Sequence, residues 1–174
     1  MAEQLVASYS SHFHLSASVV RLFSVYGCGL RKQLLWDACR KVSSGDQVFM
    51  GTGAEIRDWL HVDDAAALML LAMRNADPTC PTVNGGTGAG VTTREIVLHI
   101  ARNISPGGVA PEFSGTTRPG DPNCYIADVT RARQWGWKAK KHWRDGVAEY
   151  AAWWLTEKQC NSDPAVLAAA NSAA

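Results

Sequence analysis

The sequence predicts an α/β fold, and three features carry that expectation. Short apolar runs closed by glycine alternate with helical patterns along the chain, as in proteins that lay helices on a parallel sheet. The run Ser18-Val19-Val20-Arg21-Leu22-Phe23-Ser24-Val25-Tyr26 is rich in β-branched and aromatic residues and ends at Gly27-Cys28-Gly29, which suits one buried strand. Apolar residues Leu34, Leu35, Ala38, Cys39 and Val42 then recur at helical spacing. With 174 residues, 47% hydrophobic and 19% charged, the chain is long enough for a real core.

Taken in order, residues 1–13 form a helix with Leu5, Val6 and Tyr9 on one face and no capping residue ahead of Ala2. The strand over 18–26 follows, then the Leu34 helix, which Ser43-Ser44-Gly45-Asp46 ends. Val48-Phe49-Met50 is a strand, Gly51-Thr52-Gly53 its turn, and Asp63 or Asp64 the N-cap of an alanine- and leucine-rich helix. After Asp77-Pro78, a short strand Thr82-Val83-Asn84 runs into a glycine cluster. Thr92 and Glu95 then make a capping box for a helix through Val97, Ile100, Ala101 and Ile104. Glu112-Phe113-Ser114 is an edge strand and Arg118-Pro119-Gly120-Asp121-Pro122 a rigid turn. Asp128 caps a helix that stops at Gly136, and a last helix carries Trp143, Val147, Ala151 and Trp154 on one face. From Asn161 the alanine-rich tail, 161–174, is expected to be disordered.

Composition excludes several classes of function. A formal net charge of +1 offers no field for nucleic acid, and the single basic cluster, Lys138-Ala139-Lys140-Lys141-His142, lacks interleaved aromatics. Five scattered cysteines without Cys-x-x-Cys read as reduced thiols, and the spacing of the histidines offers no metal set. The apolar run 65–73 is too short for a bilayer, which takes about twenty residues. Glu3 stands where a signal peptide would carry basic residues, so no membrane association and a cytoplasmic location are expected.

The residues with chemistry begin at Arg57, which follows a glycine turn and precedes Asp58. Two readings stand: a phosphate-binding guanidinium on a rigid frame, or an Arg57–Asp58 surface ion pair. Arg118, before Gly120 and Asp121, repeats the arrangement, and two guanidinium forks can clamp a diphosphate. Asp121 accepts hydrogen bonds only, which suits sugar hydroxyls. The glycine cluster Gly85-Gly86-Thr87-Gly88-Ala89-Gly90 fails the G-x-G-x-x-G pattern, since a start at Gly86 needs glycine where Val91 stands. It reads as a structural turn, with a backbone-amide contact to phosphate as the lesser alternative. His61 reads as a hydrogen-bonded core histidine rather than a catalytic base, and no residue carries a nucleophile signature.

Together these segments resemble the extended short-chain dehydrogenase/reductases, specifically the NAD-dependent nucleotide-sugar epimerase/dehydratases of the UDP-galactose 4-epimerase type. The markers are Arg21-Leu22-Phe23-Ser24-Val25-Tyr26-Gly27, Gly51-x-Gly53 with Arg57-Asp58-Trp59-Leu60-His61-Val62-Asp63-Asp64, Asn84-Gly85-Gly86 with Thr92-Thr93-Arg94-Glu95-Ile96, and Arg118-Pro119-Gly120-Asp121 with Ala127-Asp128. The resemblance implies the C-terminal part of a Rossmann-type doubly wound sheet plus a small mixed α/β substrate-binding subdomain, the N-terminal βα units being absent. On that basis 1–30 is the last helix and strand remnant of the cofactor domain. Residues 31–160 are then the substrate-binding part, with a returning sheet strand near 82–84.

The resemblance further implies that Arg57 and Arg118 hold the diphosphate of a UDP-sugar, that Asp121 meets the ribose and that Tyr125 faces the sugar. Gln33, Leu34, Val48 and Met50 fall where the family lines the base pocket, and Phe23 and Ser24 where its strand passes the nicotinamide and substrate. Ser24 replaces the usual asparagine, and Cys28 a common proline. The glycine-rich NAD loop and the catalytic Tyr-x-x-x-Lys are absent, so no catalytic residue is assigned. The expectation is a nucleotide-sugar-binding part, inactive alone, whose NAD is held in the full-length enzyme and whose partner is the missing N-terminal half or a second copy. The alternative is a stand-alone nucleotide-sugar-binding or partner module without catalysis.

Overall fold

The computed structural model describes residues 1–117 and 119–162, the last three by backbone alone. Arg118 and the tail from 163 lie outside the described residues. The elements in chain order are α1 (Ala2–Phe13), β1 (Val19–Leu22), β2 (Ser24–Tyr26), α2 (Gln33–Ser44), β3 (Val48–Phe49), β4 (Ile56–Arg57), β5 (Trp59–His61) and α3 (Val62–Arg74). Then come β6 (Thr82–Gly85), β7 (Val91–Thr92), α4 (Thr93–Ile104), β8 (Glu112–Phe113), β9 (Cys124–Tyr125), α5 (Thr130–Gln134) and α6 (Trp143–Ser162). No helix among the described residues is long and apolar enough to cross a membrane.

The chain alternates between two compact units. The first comprises Met1–Tyr26, Ala54–Thr93 and Gly120–Trp143. Here β1 runs parallel to β6, from Val19 opposite Thr82 to Leu22 opposite Gly85. β2 runs parallel to β5, and β4 lies between antiparallel β7 and parallel β9. Leu60, Leu68, Ala72, Val83, Val129 and Ala132 form its core, each with little or no exposure because strand and helix faces meet there.

One expectation is corrected here: the run 18–26 is two strands, not one. Phe23 is the break, its N–H donating to Gly85 O at 3.0 Å as the last rung to β6, while Ser24 N–H donates to Asp58 O at 3.1 Å and opens the pairing with β5. A strand that changes partner must interrupt its ladder, and no local pattern of side chains reports that. A second correction concerns α3, which begins at Val62 with His61 as N-cap, its Nδ1 accepting the Asp63 N–H at 3.3 Å. Neither Asp63 nor Asp64 is the cap. Asp64 is buried and accepts the backbone N–H groups of Lys140 and Lys141 at 3.1 and 2.9 Å. Asp128 acts one residue before the helix boundary, accepting the N–H of Thr130 at 2.9 Å.

The second unit comprises Gly27–Gly53, Arg94–Pro119 and the chain from Arg144 onward. β3 and β8 pair in parallel. The apolar faces of α2 (Leu35, Ala38, Cys39, Val42), α4 (Ile96, Val97, Ile100) and α6 (Val147, Tyr150, Ala151) are buried. Gly45 ends α2 at φ 80, a left-handed position that glycine takes without strain. The tyrosine hydroxyl of Tyr150 donates to Leu30 O, and Arg31 pairs with Glu157. α6 continues through Ser162, beyond the Asn161 at which the sequence pattern starts the tail.

Burial pushes the Cys39 thiol up from 9.0 to about 12. As pH rises, the unfolded chain loses that proton first, so the stabilisation from burying the neutral thiol is intact below pH 9 and lost toward pH 12. Urea unfolding at about pH 7.5 and about pH 10.5 should show the fall in stability reduced by roughly 2 kcal/mol in Cys39→Ala relative to the parent chain. An equal fall in both would remove Cys39 as a source of alkaline instability.

Candidate functional site

In the first unit, Arg57 sits on β4, between β7 and β9, opposite Val91 and Tyr125. Its side chain is half-buried, and Nη1 donates to Ile56 O at 2.9 Å and to Pro122 O at 2.7 Å. Those two carbonyls take both Nη1 hydrogens. Among the described residues the Nε and Nη2 edge makes no hydrogen bond, and that edge presents two parallel N–H groups of the kind that bind two oxygens of a phosphate or carboxylate.

The local alternative, an Arg57–Asp58 surface pair, is overturned. Asp58 has no exposure, and its carboxylate accepts from Thr87 N at 2.7 Å, Thr87 Oγ1 at 2.7 Å, Gly88 N at 2.9 Å and Ala127 N at 3.2 Å. A buried carboxylate is tolerable when several donors replace its water. Asp58 joins the β4–β5 segment to the turn after β6 and to the stretch after β9.

Phe23 and Tyr125 stack, with ring centroids 4.4 Å apart and planes 20° from parallel. Tyr125 keeps about half its surface exposed, and the Ser24 hydroxyl next to Phe23 makes no hydrogen bond among the described residues. Asp121 is exposed directly after Gly120, whose φ of 89 turns the chain. The first unit thus holds Phe23, Ser24, Arg57, Asp121 and Tyr125.

Gln33, Leu34, Val48 and Met50 lie in the second unit. Gln33 opens α2 at φ 67, in the left-handed region that costs a side-chain-bearing residue about 1–2 kcal/mol. Leu34 is partly buried. Val48 and Met50 are exposed while Phe49 between them is buried against Phe113, the alternation a strand imposes. Lys41 Nζ holds Val48 O at 2.7 Å, which steadies that edge.

A family model, the NAD dependent epimerase/dehydratase family, matches residues 1–84. GDP-L-fucose synthase of Escherichia coli is 33% identical over 118 residues, covering 63% of this chain and 36% of its own length. UDP-glucose 4-epimerase of Azospirillum brasilense is 29% identical over 176 aligned positions, covering 88% of this chain and 50% of its own. Among solved structures, MoeE5 in complex with UDP-glucose and NAD superposes with a TM-score of 0.79 at 26% identity, over 90% of this chain and 54% of MoeE5.

The first 84 residues match the NAD-dependent epimerase/dehydratase family, and the chain is similar to members of it. It spans between about a third and about half the length of these relatives. Its mixed α/β structure with parallel strand pairs agrees with the partial Rossmann-type fold expected from sequence.

Within this chain, the glycine cluster does not fit a dinucleotide cradle. The N–H groups of Thr87 and Gly88 are taken by Asp58, and a Cβ on Gly86 would lie 2.4 Å from Asp58 Oδ2 and 2.5 Å from the Ala127 Cβ. The glycine serves close packing on a carboxylate, as the structural-turn reading held, and no phosphate contact is left to those two amides. His61 is likewise a core histidine, 2% exposed. Sequence reasoning missed Asp58 and Asp64 as buried anchors. The available signal was an aspartate inside the apolar run Ile56–Leu60 with a threonine–glycine turn to receive it.

Asp58→Ala leaves the amides of Thr87, Gly88 and Ala127 buried without an acceptor, and unfolding free energy should fall by about 3–5 kcal/mol. Urea denaturation measures it, and a loss under about 1 kcal/mol would show that water replaces the carboxylate at no great cost.

Proposed function

We propose that this chain is the nucleotide-sugar-binding part of an NAD-dependent epimerase/dehydratase, with Arg57 gripping the diphosphate and Arg118, outside the described residues, as the second arm. The observation that carries the reading is the Nε–Nη2 edge of Arg57, held in place by two carbonyls through Nη1 and otherwise unengaged among the described residues. The Phe23–Tyr125 stack, the open hydroxyl of Ser24 and the carboxylate of Asp121 supply, in the same unit, an aromatic surface and polar groups suited to a sugar. Gln33 and Leu34, with the exposed Val48 and Met50, are assigned to the nucleobase. The relatives' names speak for the ligand class, since MoeE5 was solved with UDP-glucose.

NAD, present with MoeE5, supplies hydride transfer in such enzymes. Of this chain's residues only Phe23 is assigned to its surroundings, and the glycine cluster is not a seat for it. The isolated chain therefore binds substrate without turning it over. A stand-alone binding module is chemically the same claim for these residues, and no observation favours it separately.

Calorimetric titration of the chain with UDP-glucose should show saturable binding, weakened at least about tenfold in Arg57→Ala and not restored in Arg57→Lys, because lysine keeps the charge but lacks the two-pronged edge. Equal affinity in Arg57→Ala would reject the site. Incubation with UDP-glucose and NAD should yield no 4-epimer, and clear turnover would reject the inactivity.

A further inference from the structure

The nucleotide-sugar reading leaves the basic cluster Lys138-Ala139-Lys140-Lys141-His142 without a role. In the first unit this segment lines a cavity of about 440 Å³, within the size range of small-molecule sites. Arg133, Lys138, Lys140 and Lys141 line its wall, and among the described residues no aspartate or glutamate does. For a chain of net charge +1, with 17 basic and 16 acidic side chains, that concentration is not a sample of the average surface.

The segment's backbone is fixed, because the buried Asp64 carboxylate accepts the N–H groups of Lys140 and Lys141. That carboxylate is spent on amides, and Asp128, which feels Arg133, is engaged by the hydroxyl and N–H of Thr130. Trp59 and Trp137, both more than nine-tenths buried, supply apolar wall. The Trp59 indole N–H is a buried donor without an acceptor among the described residues.

We propose that this cavity binds a compact polyanion, a small ligand bearing two or more phosphate or carboxylate groups, at a site separate from Arg57. Several cations held around one small volume repel one another, and a ligand with a single charge leaves most of that repulsion in place. A multiply charged ligand relieves it and gains charge-assisted hydrogen bonds. The small volume favours a small molecule over a nucleic-acid strand, which needs an extended track of charge.

Calorimetry of the chain with inorganic pyrophosphate, and separately with citrate, distinguishes phosphate from carboxylate recognition. At least one should bind saturably, weaken at least about tenfold in Lys138→Ala/Lys140→Ala, and weaken steeply when salt is raised to about 0.5 M. In Arg57→Ala, which removes the diphosphate grip, one saturable site sensitive to Lys138→Ala/Lys140→Ala should remain, while UDP-glucose binding should be unchanged in the double-lysine variant. Both lysines are exposed, and an unaltered circular dichroism spectrum and thermal midpoint confirm the fold. No saturable binding of either probe in the Arg57→Ala background, or binding there that is insensitive to the double substitution, would overturn the proposal. Because the two ligands and two variants are crossed, a failure here leaves the UDP-glucose result standing on its own, and the reverse.

Discussion

The first unit depends on one buried carboxylate. Asp58 has no contact with solvent, and its two oxygens accept four hydrogen bonds from Thr87, Gly88 and Ala127. An ionised group removed from water is tolerable only with such replacement, so the turn after β6 and the stretch after β9 are obliged to come to it. Gly86 follows from the same requirement, since a methyl group there would collide with the carboxylate. The glycine cluster is therefore explained by the chain's own anion rather than by a ligand's.

What Asp58 does for its neighbour is as important. Were it paired with Arg57, the guanidinium would lose both its net charge and its fork to an internal partner. Because Asp58 is turned inward, Arg57 is held instead by the neutral carbonyls of Ile56 and Pro122. Those bonds fix the side chain while leaving its charge whole. A cation whose rotamer is already restrained loses less entropy on meeting an anion than a free surface arginine does. The β4–β9 pairing, which sets Arg57 opposite Tyr125, carries the same rigidity to the ring stacked on Phe23.

Much of the fold was legible because it is written in local periodicity. The α2 face of Leu35, Ala38, Cys39 and Val42 is buried as its spacing requires, and Gly45 ends the helix in the conformation that glycine favours. What was not legible depends on distant partners. Asp58 meets groups 29, 30 and 69 residues away, so its neighbourhood in sequence, with Arg57 adjacent, suggested the wrong partner. The strand over 18–26 looked continuous because each residue suits a strand, while its division at Phe23 is set by β6 and β5. His61 displaced Asp63 as the cap of α3 because a neutral imidazole nitrogen accepts a hydrogen bond as well as a short acid does. Of the site, Arg57 was legible as a residue, but its unengaged edge became visible only with the carbonyl of Pro122 in place.

The two buried acids follow one rule. Asp58 precedes β5 and Asp64 lies in the first turn of α3, and each gives its oxygens to backbone N–H groups rather than to a cationic side chain. In a chain with nearly balanced charges, this choice decides where positive charge is left over. Had Asp58 paired with Arg57 and Asp64 with a lysine of 138–141, each place would have one fewer uncompensated positive charge. With the acids spent on amides, Arg57 keeps its Nε–Nη2 edge, and the cavity beside Trp59 and Trp137 keeps a wall of cations without a lining carboxylate. Amide–carboxylate bonding thus does two things at once: it holds loops that no sheet pairing reaches, and it keeps Asp58 from pairing with Arg57. The anion binding proposed for this unit would then be a consequence of how its core is made stable, not an addition to it.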